Sequence, residues 1–278
     1  MKISRRKLLL RAALFGPPTA FGYGSVIEKN WIDVNHVDIP LAPHHRQLHG
    51  LRIALMSDFH HDEFGDDELI RRAVDHINAE QVDVVMLAGD YISNHVPAME
   101  SLCAEFANLR ASKGVFSIIG NHDRWHYDDS IPKMFEESGV RLLVNEAADF
   151  GGFAVGGADS CWGGNPHLPT IEAQLPKDMP ILLGWHEPDT FDYYKNPQYV
   201  LQMSGHTHGG QVCAPVYGPI LLPSYGRNYP FGHYQQGTRN LYVTRGIGTM
   251  DVPTRFLCRP EVAILRLVDQ TVSLPDER

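Results

Sequence analysis

The chain has 278 residues, 33 of them acidic and 24 basic, for a formal charge of −9, with 15 histidines and only 4 cysteines. At 43% hydrophobic and 21% charged residues, it is globular rather than disordered or fibrous, and long enough for one large domain or two small ones. The acidic balance disfavours general electrostatic binding, and no nucleic acid is expected as a partner. Cys103, Cys161, Cys213 and Cys258 form no C-x-x-C pair, so neither a structural zinc cluster nor a redox dithiol is indicated. Many imidazoles and carboxylates beside few thiols suit a hard or borderline metal.

The first 30 residues carry six basic side chains (Lys2, Arg5, Arg6, Lys7, Arg11, Lys29) against one acid, Glu28, whereas the remainder holds 18 basic and 32 acidic residues, a net of −14. The basic head leads into an apolar run from Leu8 to Phe21, broken by Arg11 and Pro17-Pro18. An ordinary membrane-spanning helix needs about 20 apolar residues, more than this run offers. A charged head before a short apolar run is the plan of an export signal or an interfacial anchor. Ser4-Arg5-Arg6-Lys7-Leu8-Leu9 resembles a twin-arginine export signal. Residues 1–30 therefore read as a twin-arginine-like signal or membrane anchor, which places the protein at the inner membrane, on the periplasmic or the cytoplasmic face.

Then come alternating elements. Leu51–Ser57 is an apolar run that ends at Asp58, Asp67–Ala79 has helical spacing, and Val82–Ala88 is a buried-strand pattern that ends at Gly89-Asp90. A helix pattern over roughly 97–111 precedes the strand Gly114–Ile119, which ends at Gly120-Asn121-His122-Asp123. Ile131–Ser138 reads as helix and Val140–Val144 as strand. This alternation predicts βαβ units with buried parallel strands. After residue 150 strands dominate: Phe153–Ala158, Pro180–Trp185, Tyr199–Met203, Tyr217–Leu222, Leu241–Thr244 and Val262–Val268. A two-sheet α/β sandwich accounts for the pattern.

Ligand-type residues sit where these strands end. Asp58-x-His60, Gly89-Asp90 and Gly120-Asn121-His122-Asp123 are followed by Trp185-His186 and by Gly205-His206-Thr207-His208-Gly209-Gly210. Asp58 and Asp90 are 32 residues apart, and Asp90 and Asn121 are 31 apart, one βαβ unit each. In open α/β sheets, sites form beyond the carboxyl ends of the strands. Two carboxylates, one amide oxygen and four imidazoles (Asp58, His60, Asp90, Asn121, His186, His206, His208) are too many for one ion and suit a metal pair.

The ordered series D-x-H, G-D, G-N-H-D, H and G-H-T-H-G-G-Q resembles the calcineurin-like metallophosphoesterase superfamily over about residues 51–268. The basic head, His186-Glu187-Pro188-Asp189, Arg245-Gly246-Ile247-Gly248 and Arg259-Pro260-Glu261 are similar to a bacterial membrane-associated subgroup. That subgroup includes phosphodiesterases and UDP-2,3-diacylglucosamine pyrophosphatases of lipid A synthesis. The resemblance implies the α/β/β/α sandwich of the metallo-dependent phosphatases and two divalent ions (manganese, iron or zinc). It implies Asp58, His60, Asp90 and His208 on the first ion, and Asp90, Asn121, His186 and His206 on the second, with Asp90 bridging. His122 would face the scissile phosphate as the catalytic group. The implied reaction is attack by a metal-bridging hydroxide on a phosphodiester or pyrophosphate, with a nucleotide lipid such as UDP-2,3-diacylglucosamine as the narrow candidate substrate. The alternatives are a non-catalytic metal-binding scaffold at the membrane and an exported phosphodiesterase or phosphatase with another substrate.

Other residues leave two readings open. Asp123 either orients His122 or caps its turn. Asn94, Arg124 and His126 lie just past ligand motifs, where substrate binding and loop support compete. Arg245 pairs either with a phosphate or with a structural carboxylate. His61 reads as solvent-facing, and His44, His45 and His49 as surface loop. Tyr217, Tyr225, Tyr229, Phe231 and Tyr234 form either an acyl-chain groove or loop packing.

Overall fold

A computed structural model describes residues 18–269. Its strands are β1 (Asp33–Leu41), β2 (Arg52–Met56), β3 (Val84–Leu87), β4 (Gly114–Ser117), β5 (Arg141–Leu142), β6 (Glu146–Asp149), β7 (Ala154–Gly157), β8 (Ile181–Gly184), β9 (Tyr199–Ser204), β10 (Cys213–Ala214), β11 (Gly218–Pro219), β12 (Gly232–Gln236), β13 (Arg239–Val243) and β14 (Glu261–Asp269). The helices are α1 (18–26), then α2 (His61–Phe64), α3 (Asp67–Ala79), α4 (Met99–Phe106), α5 (Asn121–Trp125), α6 (Ser130–Glu137) and α7 (Leu168–Ala173).

Two mixed sheets result. The first has the order β1-β14-β2-β3-β4-β5, with β2 to β5 parallel and β14 antiparallel to β2. The second has the order β12-β13-β9-β8-β7-β6, parallel from β13 through β7 and antiparallel at both edges.

Side-chain alternation along the strands builds the layers. Ile53, Leu55, Val84 and Met86 face the second sheet and pack with Leu182, Leu201 and Met203. Their neighbours Ala54, Met56, Val85 and Leu87 point the other way, onto Ile70, Val74 and Ile77 of α3 and Leu102 and Phe106 of α4. From β8, Ile181 and Leu183 face a third core with Ile171 of α7 and Phe191. Central strands buried on both faces need apolar residues at every position, which is why they read as continuous runs. Three apolar cores between two sheets and their outer cover make an α/β/β/α sandwich. Asp66 starts α3 by accepting from Leu69 N at 3.2 Å.

Four strands carry no apolar run and were not expected: β1, β6, the two-residue β10 and β12. β1 is an edge strand, so it tolerates alternating polar residues and Pro40. It pairs along its whole length with β14, so the sandwich takes in chain before residue 51. The expected strand over Tyr217–Leu222 shrinks to β11, because Val216 and Gly218 adopt φ of 67° and 86° and turn the chain there. The expected helix over 97–111 is confined to α4.

The signature Ser4 to Leu9 lies outside the described residues. Residues 18–30 pack onto the body. Ser25 Oγ donates to Thr254 Oγ1 at 2.8 Å, Arg255 N donates to Gly24 O at 3.2 Å, and buried Glu28 accepts from Cys258 N at 2.7 Å. No helix among the described residues is long and apolar enough to cross a membrane.

Leu182 is fully buried between the sheets. Leu182→Ala should lower the unfolding free energy in urea by about 2–5 kcal/mol; a loss below about 1 kcal/mol would contradict its placement in a close-packed core.

Candidate metal centre

Asp58, Asp90 and Asn121 follow the carboxyl ends of β2, β3 and β4, and His186 and His206 follow those of β8 and β9. Parallel strands thus deliver ligand-type groups from both sheets to one rim. The sheets meet there: His206 N donates to both carboxylate oxygens of Asp58, at 2.9 and 3.0 Å. Glycines permit the approach. A Cβ at Gly205 would strike Ser57 Oγ and Asp58 Oδ2, and one at Gly120 would strike the Asp90 carboxylate.

Asp58, His60, Asp90, His206 and His208 all adopt positive φ, between 42° and 72°. Non-glycine residues pay for this conformation, and it persists only where surrounding bonds impose it. Asp123 is one source of that constraint. Its buried carboxylate accepts from Gly120 N at 2.9 Å, Asp90 N at 2.8 Å and Tyr91 N at 2.8 Å. It therefore caps the turn, with backbone N–H groups as its partners.

The side chains converge in overlapping groups. Ligand atoms of Asp58, His60 and His208 lie within 4.8 Å of one another, as do those of Asp90, His186 and His206, and those of His60, Asp90 and His122. Asp90 Oδ2 is 3.1 Å from His186 Nε2 and 3.6 Å from His60 Nε2, so this carboxylate lies between the groups. His208 Nε2 is 3.1 Å from His60 Nε2 and 3.5 Å from Asp58 Oδ1.

The outer ring nitrogens are anchored. His186 Nδ1 donates to Ala88 O at 2.6 Å, and His206 Nε2 donates to Ser224 O at 2.7 Å. Such bonds fix the tautomer and aim the other nitrogen inward. Asn121 Oδ1 is buried without a hydrogen-bond partner, and buried His186 Nε2 faces the Asp90 and Asp58 carboxylates at 3.1 and 4.0 Å. Buried polar atoms are otherwise almost always satisfied, so an inward-facing orphan oxygen of this kind fits a divalent cation.

Electrostatics support that fit. Burial pushes His60 down to about 4, and also lowers His206 and His208, which leaves neutral imidazoles with lone pairs. Burial raises Asp58 to about 7. Burial would raise Asp90 too, but His186, His60 and His122 outweigh it and hold this carboxyl below the usual range. In such a site a cation supplies the positive charge that these carboxylates require.

His122 is half-buried beside the clusters. Its Nδ1 donates to Ser93 O at 3.0 Å, and its ring meets His60 edge-on at 4.8 Å. Arg124 Nη2 pairs with buried Asp159 at 2.5 Å. Arg245 Nη2 pairs with Asp33 at 2.7 Å and Glu261 at 3.3 Å, the structural-carboxylate reading. Asn94 is exposed and its backbone N–H donates to Asp62 at 2.7 Å. None of these three substrate-binding candidates lines the cleft over the His/Asp clusters. His126 is exposed. His61, expected in solvent, instead pairs with Asp67 at 2.8 Å through a largely buried side chain. His45 is buried against Pro197 O, and His49 Nδ1 accepts from Asp269 N. Tyr229 stacks edge-on with Tyr234 and Phe191, while Tyr217 is exposed.

Sequence reasoning missed several supports. Asp62 accepts three successive backbone N–H groups, from Ser93, Asn94 and His95, and so shapes the loop whose Ser93 carbonyl holds His122. It lies four residues after Asp58, and this nearness to the first ligand motif is its signal in the sequence. The cleft itself has a volume of about 710 Å³, with the His/Asp clusters as floor and Trp125, Trp162, Val212, Ile220, Leu221 and Val252 among its walls. Trp125 stands four residues after Asn121 at the end of α5, whereas Trp162 follows no ligand motif closely.

Replacing Asp123 by alanine strands three buried N–H donors. At about 1–3 kcal/mol for a stranded group, Asp123→Ala should cost at least ~2 kcal/mol in urea unfolding; a cost under ~0.5 kcal/mol would show that the turn does not depend on this carboxylate.

The chain is similar to known proteins along most of its length. The chain is 32% identical to the uncharacterised metallophosphoesterase YkuE of Bacillus subtilis (strain 168), an alignment that covers 96% of this chain and 98% of that one. It is 29% identical to the phosphodiesterase YaeI of Escherichia coli (strain K12), over 96% of this chain and 100% of the relative. It is 24% identical to the UDP-2,3-diacylglucosamine pyrophosphatase LpxG of Chlamydia muridarum (strain MoPn / Nigg), over 92% and 95%. A family model for calcineurin-like phosphoesterases matches residues 51–210, from the strand before Asp58 through the His206-Thr207-His208 turn. The chain belongs to the calcineurin-like phosphoesterase family and is a metal-dependent phosphoester hydrolase.

Proposed function

We propose that the chain hydrolyses a phosphodiester or pyrophosphate bond at a pair of divalent ions, in a substrate that carries an apolar part and lies at a membrane surface. The observation that carries this reading is the pair of His/Asp clusters joined through Asp90 at the floor of an apolar-walled cleft. In it, Asp58, His60, Asp90 and His208 hold one ion, and Asp90, Asn121, His186 and His206 hold the other. When bound, such ions supply Lewis acidity to a phosphoryl oxygen and lower the pKa of water. Imidazole, carboxylate and amide donors suit manganese, iron or zinc.

The chain's own groups do the rest. The fixed rings of His186 and His206 keep the donor set in place before substrate arrives, which limits reorganisation during reaction. His122, with Nδ1 tied to Ser93 O, turns Nε2 toward the cleft, where it hydrogen-bonds the phosphoryl group or, when protonated, gives a proton to the leaving oxygen. Ile220, Leu221 and Val252 form an aliphatic wall suited to acyl chains. The relative named as a UDP-2,3-diacylglucosamine pyrophosphatase makes that nucleotide lipid the narrow candidate.

A membrane location is supported by exposed apolar residues on segments that adjoin the cleft lining. Val216, Tyr217 and Leu221 stand out around the β10–β11 hairpin, and α1 exposes Phe21 and Val26. These segments adjoin: Val212 bridges to Phe256, which meets Tyr23 of α1 edge-on. Five of the six basic residues of segment 1–30 precede this patch in sequence and suit anionic lipid.

Three outcomes test the proposal. Asp90→Ala should abolish hydrolysis of bis-p-nitrophenyl phosphate and lower bound metal by elemental analysis; unchanged turnover would sink it. His122→Ala should keep its metal and lose about 10²–10⁴-fold in rate, whereas a large metal loss would make it a ligand. The full chain should co-sediment with phosphatidylglycerol vesicles, and Val216→Asp with Tyr217→Asp should weaken that binding by at least about tenfold; equal binding would remove the hairpin from the contact.

A further inference from the structure

Two tryptophans at the cleft are held in place more firmly than packing requires. Trp125 and Trp162 both line it, 44% and 37% exposed. Their rings stand at 90° with centroids 5.1 Å apart. Trp125 lies 4.8 Å from the His122 ring and Trp162 lies 5.9 Å from the His206 ring. The indole corner therefore spans the reach from the catalytic candidate to a metal-ligand candidate.

The loop that presents Trp162 is organised by two buried carboxylates. Asp159 accepts from Ser160 N at 2.9 Å and Asn165 N at 2.8 Å, and pairs with Arg124. Glu187 accepts from Cys161 N at 3.1 Å, from Trp162 N at 3.3 Å and from Ser160 Oγ. Both acids are almost wholly buried, a placement that costs free energy unless every lone pair is used. Gly163 completes the arrangement: at φ 110°, a Cβ there would come within 2.8 Å of Trp125 Cδ1 and Nε1. So Arg124, Asp159, Glu187 and Gly163 all act to set two indoles at right angles beside the metal cluster. Trp162 packs on Trp125, His206 and Tyr225 and belongs to none of the three cores.

We propose that the Trp125–Trp162 corner is a stacking subsite for a flat ring joined to the phosphate, namely the base of a nucleotide. A right-angle pair meets one ring face-on with one indole and edge-on with the other, the two arrangements that aromatic quadrupoles favour. Ile220, Leu221 and Val252 give the same cleft an aliphatic lining as well, so the cleft offers two unlike surfaces to an asymmetric substrate. The base goes to the indoles and the apolar part to the hairpin side. Arg124 and Glu187 are positioning residues in this account, acting through the loop.

This subsite rests on the phosphoesterase reading, and the test separates the two. Uridine 5′-monophosphate and ribose 5-phosphate carry the same phosphate and sugar and differ in the base. Titrated calorimetrically into the metal-loaded full chain, the nucleotide should bind about tenfold more tightly or better, as base–aromatic stacking predicts, and should quench tryptophan fluorescence. Trp162→Ala should erase the difference, while Trp162→Phe, which keeps a ring and guards against misfolding, should retain most of it. Equal affinities in the native chain, or a preference that survives Trp125→Ala and Trp162→Ala, would overturn the subsite. Hydrolysis of bis-p-nitrophenyl phosphate, measured in parallel, shows whether the phosphoesterase reading stands in that event. Absence of binding by either ligand overturns the subsite as well.

Discussion

Two sheets must touch at one rim without filling it, and the contact from His206 N to the Asp58 carboxylate is where they do so. One partner follows β2 of the first sheet and the other follows β9 of the second. Everything polar in the centre depends on that approach, and the approach depends on Gly120 and Gly205 having no side chain. Below the rim, the inter-sheet core of Ile53, Leu55, Met86, Leu182 and Met203 sets the distance between the layers. Apolar packing in the body thus determines where imidazoles and carboxylates meet.

The centre stores local strain and concentrates charge. Five ligand candidates sit in left-handed backbone, and their turns are held by carboxylates that accept runs of backbone N–H groups: Asp123 beneath Asp90, and Asp62 beneath Ser93. Burial keeps His60 and His208 neutral, while His186 is shifted upward by the Asp90 carboxylate that it helps keep ionised. A cluster of this kind gains most from a bound cation, since the cation satisfies lone pairs that nothing else in the fold reaches.

The central architecture was readable because buried parallel strands leave continuous apolar runs, each ending at a ligand residue: Met56 before Asp58, Leu87 before Asp90, Ser117 before Asn121. Edge strand β1 was not readable, since its polar alternation and Pro40 are permitted only by its place beside β14. Spacing along the chain named the seven ligand candidates. It carried no information on Arg245, whose partners Asp33 and Glu261 lie far off in sequence. Nor did it single out Trp125 and Trp162, which meet only because Gly163 and two buried acids fold one loop onto another helix. Positions set by βαβ periodicity are visible in sequence, and positions set by loop docking are not.

The central claim is that Asp90 joins two metal sites. Anomalous diffraction from crystals of the full chain grown with manganese tests it most directly. The account predicts two peaks, one bounded by Asp58, His60 and His208 and the other by Asn121, His186 and His206, with Asp90 touching both. A single peak, or a second ion that Asp90 does not reach, would contradict it.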